Sequence, residues 1–151
     1  MSAYQLPVWV WPAVLVATCA LALLRGRDEE RLAAATVLLG WALSMVAFRN
    51  RSEDTQWLVL LIDGTEMPVF IWLALRTRRY WPLFAAAFKL LIVVTHLAHV
   101  LDPTITGWAY LTAVIIWSYL AVFAIGYGAW TAPAYAINAA DPTEGPGATL
   151  R

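Results

Sequence analysis

Charge is the first thing this sequence is short of. Only 13% of its 151 residues are Asp, Glu, Lys or Arg, where a soluble domain carries about 25%. Ten basic residues balance ten acidic ones, so no basic surface is offered to nucleic acid and no such partner is expected. A single cysteine, Cys19, lies inside an apolar run, which excludes a disulfide framework and a cysteine-based metal site. There is no internal repeat, and the glycines form no phosphate-binding pattern. The chain also lacks a nucleophile elbow and a zinc-protease helix. No complete catalytic constellation remains, and the expectation is a protein that is not an enzyme.

What is present is apolar surface. Hydrophobic residues make up 62% of the chain and the mean hydropathy is +0.66. Nine Trp and six Tyr cluster toward the ends of apolar runs, where amphipathic rings favour a membrane interface. A bilayer core about 30 Å thick needs roughly 20 apolar residues in a helix. Five runs approach that length: 8–24, 32–48, 55–75, 82–101 and 108–130. The fold expected is therefore all-α, a polytopic membrane protein of about five transmembrane helices. Residues 1–130 form the helical domain. Residues 131–151, with three prolines and little apolar periodicity, read as a flexible cytoplasmic tail.

The first run has no Lys or Arg before it, so it lacks the positive region of a secretory signal and is expected to be retained as a span. Orientation follows from arginine. The 25–31 and 76–79 loops carry three Arg each, against Arg49 and Arg51 on the opposite side. The positive-inside rule then places the N-terminus outside and the C-terminus in the cytoplasm.

Against this background the octet LIDGTEMP at 61–68 is out of place, with QWLVL before it and VFIWLAL after it. At about 1.5 Å per residue from Thr55, Asp63 lies about 12 Å into the span and Glu66 about 16 Å. A charge at such depth costs on the order of 3 kcal/mol, so it should face protein or a cavity. Pro68 removes the hydrogen bond to the Gly64 carbonyl, and a kink is expected between them. The fourth run carries Lys89, His96 and His99, separated by seven and three residues, hence on one stripe. Folding the sequence about Arg79 into an antiparallel hairpin sets Asp63 level with His96 and Lys89 within a turn of Glu66. The expected pairs are Asp63–His96 and Glu66–Lys89.

Four uses of this cluster of Asp63, Glu66, Lys89, His96 and His99 are open on chemistry alone. It can be a static polar network that fixes helix packing. Asp63, Glu66, His96 and His99 are types that suit a transition metal, although Lys89 competes as a cation. A quinone or lipid headgroup near His96, His99 and Asp102 is a further cofactor reading. Haem is disfavoured, since two His three apart on one helix cannot take opposite faces of it. Acid and His chains also mark proton relays, which for a chain without a repeat would require an oligomer.

Residues 79–119 contain RYWPL, a Thr-His pair, an Asp-Pro turn, then WAY and WSY. This block resembles a group of uncharacterised small proteobacterial inner-membrane proteins, over less than half of the chain. The resemblance implies a multi-pass protein of a bacterial inner membrane, with Asp at the position of Asp63 and His at that of His96. Small size and little mass outside the lipid add an expectation of an accessory or assembly subunit, with a membrane-protein partner or a second copy beside it.

Overall fold

The computed structural model describes residues 9–47, 56–102 and 104–140. They form five helices: α1 (Val10–Arg25), α2 (Asp28–Ala47), α3 (Trp57–Arg76), α4 (Trp81–Leu101) and α5 (Gly107–Ala140). Each helix packs on its neighbours in sequence, α1 closes the ring against α5, and α2 also touches α5. The α4–α5 and α3–α4 seams are the most extensive. The core is built from small and branched residues of all five helices. Leu15 and Cys19 of α1, Ala33 and Val37 of α2, Phe70 and Leu73 of α3, Ala85 of α4, and Ile125 and Ala129 of α5 are all buried.

Three helices are long and apolar enough to cross a membrane: α3, α4 and the Gly107–Ala132 part of α5. The outward faces agree with that reading, since Leu39, Leu61, Leu83, Val94, Ile115 and Phe123 are exposed along the bundle. Apolar side chains on such a surface cost nothing in lipid, which is as apolar as they are. The first helix is shorter, with 16 residues, or about 24 Å.

Two boundaries differ from the sequence expectation, each for a local reason. The second helix starts at Asp28 rather than at residue 32. Its acidic first turn favours the helix N-terminus, and the Arg27 N–H donates to Glu30 Oε2 at 2.8 Å, the reciprocal half of a capping box. The fifth helix does not end at Trp130 but continues through Pro133 to Ala140. One proline removes one backbone hydrogen bond, which a helix of 34 residues tolerates. Residues 131–140 are thus helical, and 141–151 of the expected tail lie outside the described residues. Arg49 and Arg51, used to judge orientation, also lie outside them. In α3 the helix runs through Pro68 as one element, and the proline ring faces outward.

The bundle has two distinct ends. The α1–α2 and α3–α4 turns lie together at one of them, because Arg79 ion-pairs with Glu30. The last turns of α1 and the distal part of α5 join them, with the Arg25 guanidinium 5.7 Å from the Trp130 ring centroid. The two arginine-rich turns therefore share an end.

Candidate functional site

Two buried polar clusters occupy the bundle, one in each half. The first contains most of the residues singled out in the sequence. Lys89 projects from the middle of α4 and reaches both acids of α3, ion-pairing with Glu66 and, at 3.2 Å, with Asp63 Oδ1. Asp63 presents its other oxygen to His96 Nε2 at 3.4 Å, longer than an ordinary hydrogen bond. The hairpin geometry explains this. Antiparallel helices joined by a short turn place residues equidistant from it side by side, and the acids at i and i+3 share one face.

Two members of the cluster carry no sequence signal. Tyr110, near the start of α5, places its hydroxyl 2.6 Å from His96 Nδ1. Gly40 of α2 lies against Glu66, whose carboxylate occupies the space a Cβ at position 40 would take. The network thus ties α2, α3, α4 and α5 together. Its members are sheltered, with Glu66, Lys89, His96 and Tyr110 all buried. Tyr110 and Gly40 are ordinary residue types in apolar helices. Only the rotation of α5 and α2 about their axes, which apolar periodicity does not fix, brings them to the site.

His99 does not join the acids. Its ring stacks on Tyr110, with centroids 4.4 Å apart and planes at 29°. Of the expected ligand set Asp63, Glu66, His96 and His99, the structure brings Asp63 to His96, and among the described residues no three His, Cys, Asp or Glu side chains gather to hold a metal ion. Lys89 stands where the two carboxylates converge, and its ammonium supplies the positive charge there. Asp102 is also separate. It caps α4 and turns to Thr104, accepting from its N–H at 3.0 Å and its hydroxyl at 2.6 Å. Those two donors hold the Asp102 carboxyl below its ordinary value.

The second cluster was not anticipated from sequence. Glu30 is fully buried and accepts from Arg79, from the Trp81 indole N–H at 2.9 Å and from the Arg27 N–H. The Arg79 guanidinium also donates to the Gly128 carbonyl at 2.5 Å and to Thr131 Oγ1 at 2.7 Å. Trp81, at the start of α4, is only 2% exposed. Gly128 makes room for it, since a Cβ there would come within 2.7–2.8 Å of three indole atoms. Ala124, one turn before Gly128 on α5, lies at the same contact. Ala13 and Ala17 face outward. Ser118 bonds the Val114 carbonyl of its own helix at 2.8 Å, while Tyr119 meets Trp11 of α1 edge-on at 4.7 Å.

An apolar groove of about 550 Å³ opens along α4 and α5, between Phe84, Phe88, Phe123 and Tyr127, with Arg79 at its end. None of the Asp63–Tyr110 network lines it. No family model, curated protein or solved structure matches this chain.

Proposed function

We propose that the chain is a non-enzymatic multi-pass protein of a bacterial inner membrane, acting as an accessory or assembly subunit of a larger membrane complex. The observation that carries this reading is the closure of the polar network on itself. Asp63, Glu66, Lys89 and His96 all find partners within the chain. Such a network positions helices rather than processing a substrate. What the molecule offers outward at the level of the cluster is apolar helix surface, through which a neighbouring helix or lipid makes contact.

The topology proposed is five spans with the N-terminus outside and the C-terminus cytoplasmic. Its support is the common end of the two arginine-rich turns, joined by Arg79 and Glu30, which concentrates positive charge on one side as the positive-inside rule requires. The inner-membrane assignment rests on the sequence resemblance of residues 79–119. Purification of the tagged chain from its native membrane in mild detergent tests the role. A partner protein at fixed stoichiometry is the expected result; a monodisperse particle containing this chain alone overturns it. Reporter fusions after Arg27, Arg78 and Arg151 should all read cytoplasmic, and a periplasmic signal at any of them refutes the topology.

A further inference from the structure

We propose that the α4–α5 groove holds one acyl chain of an anionic phospholipid, whose phosphate headgroup lies against the arginine-rich turn between α3 and α4. Such a site goes beyond the accessory role and rests only on the bundle lying in a bilayer with both arginine-rich turns at one face.

The groove has the polarity of an amphiphile. Buried Trp81 lies at its base, while Phe84 of α4 and Phe123 of α5, both more than half exposed, stand on its rim. Phe88 and Leu120 continue the apolar lining away from the turn. The polar lining residues Arg79, Tyr80, Tyr127 and Thr131 all belong to the other end. Aromatic rings with a polar tip favour the membrane interface, so the two tyrosines mark the headgroup level.

Length selects the occupant. The lining runs from Leu120 to Thr131 on α5 and from Tyr80 to Phe88 on α4. At 1.5 Å per residue these stretches are about 16 Å and about 12 Å long. One leaflet of a hydrocarbon core about 30 Å thick is roughly 15 Å deep. A partner's transmembrane helix would lie along the whole bilayer depth, whereas the groove stops about halfway. Its volume, about 550 Å³, falls within the roughly 300–1,000 Å³ of sites that hold a single small ligand.

Charge selects the headgroup. The two turns at this end carry Arg25, Arg27, Arg31, Arg76, Arg78 and Arg79 against only three acids, Asp28, Glu29 and Glu30. Glu30 is taken by Arg79, and residues 76–80 include no acid. Arg78 is exposed in the same turn. Helix α4 starts there with no acidic residue in its first turn and no side-chain cap, so the positive end of its dipole adds to the arginines. Clusters of this sign beside a span attract anionic lipid.

Native mass spectrometry of the full chain, delipidated and titrated with dioleoyl phosphatidylglycerol or dioleoyl phosphatidylcholine, tests headgroup and groove together. One phosphatidylglycerol should bind at least about fivefold tighter than phosphatidylcholine. Arg78→Gln should weaken phosphatidylglycerol roughly fivefold and leave phosphatidylcholine unchanged. Ala124→Phe, which fills the groove, should abolish binding of both lipids. Equal binding of the two lipids, or full retention in Ala124→Phe, overturns the proposal. A photoreactive benzoylphenylalanine replacing the exposed Phe84 asks the same question in the native membrane, and decides it even where Ala124→Phe fails to fold. An adduct with the mass of an anionic phospholipid is expected there. Cross-linking to another polypeptide, or to a second copy of the chain, overturns the lipid assignment. Reporter fusions read membrane insertion separately, so a failure here is distinguishable from a failure of the proposed topology.

Discussion

Lys89 is the residue on which the buried network turns, because among the described residues it alone ion-pairs with both acids. An ammonium between two carboxylates offsets their mutual repulsion, and each acid is then free to hold a second neighbour. Asp63 uses that freedom to reach His96. Removing either partner of this contact should therefore disturb the other. Asp63→Asn and His96→Gln are expected to destabilise non-additively, with a coupling of about 0.5–3 kcal/mol in a double-mutant cycle read by thermal unfolding in detergent. Strict additivity means the two side chains do not interact. The four charged or titratable members were legible in the sequence because a short turn at Arg79 fixes the register of α3 on α4. Tyr110 and Gly40 were not. Each lies on a helix whose rotation depends on packing against several others, and neither residue type stands out in an apolar span.

At the scale of single helices, small residues decide how closely α4 and α5 approach. Gly128 lets α5 lie directly on the Trp81 ring, and that closeness brings the Gly128 carbonyl within reach of Arg79. Gly128→Ala should cost about 1–3 kcal/mol through overpacking, despite the better helix propensity of Ala. An unchanged melting temperature in this variant would mean that the helices have room to separate. The α4–α5 turn is governed by Asp102, whose carboxyl is held low by the Thr104 N–H and hydroxyl. A lowered carboxyl stabilises its turn fully above the ordinary Asp range, near 3.9, and loses that contribution as pH falls through the lowered value. Thr104→Ala should bring the Asp102 titration back toward the ordinary value, as followed by carboxyl carbon NMR. No movement would mean that the side-chain donor contributes nothing. Helix number was visible in the sequence from apolar run length alone. The α2 start was hidden because charged residues ahead of an apolar run look like a loop, while here Asp28, Glu29 and Glu30 form the first helical turn.

Across the whole molecule, two polar clusters are separated by an apolar layer, and they restrain different sets of helices. The inner network joins α2 through α5. The Glu30 cluster joins the start of α2, the α3–α4 turn and the end of α5. On α4 the two are about 12 Å apart, from Trp81 to Lys89 at 1.5 Å per residue. The first helix belongs to neither through its buried residues and is held by apolar contacts such as Leu15, Cys19 and Ala22. Sequence alone exposed only one cluster, because Glu30 and Arg79 both sit in segments where charge is expected. Burial of Glu30 is a property of how the two turns meet. If the clusters act as independent clamps, breaking one leaves the other intact. Lys89→Met removes one partner of a buried ion pair, which costs about 3–5 kcal/mol, and Glu30→Gln weakens the other clamp. Sites more than 7–10 Å apart without shared partners add within roughly 0.5 kcal/mol, so the double variant should lose the sum of the two single losses. A double variant no less stable than Lys89→Met would show instead that the inner network alone holds the bundle, with the Glu30 cluster contributing only to the conformation of the turns.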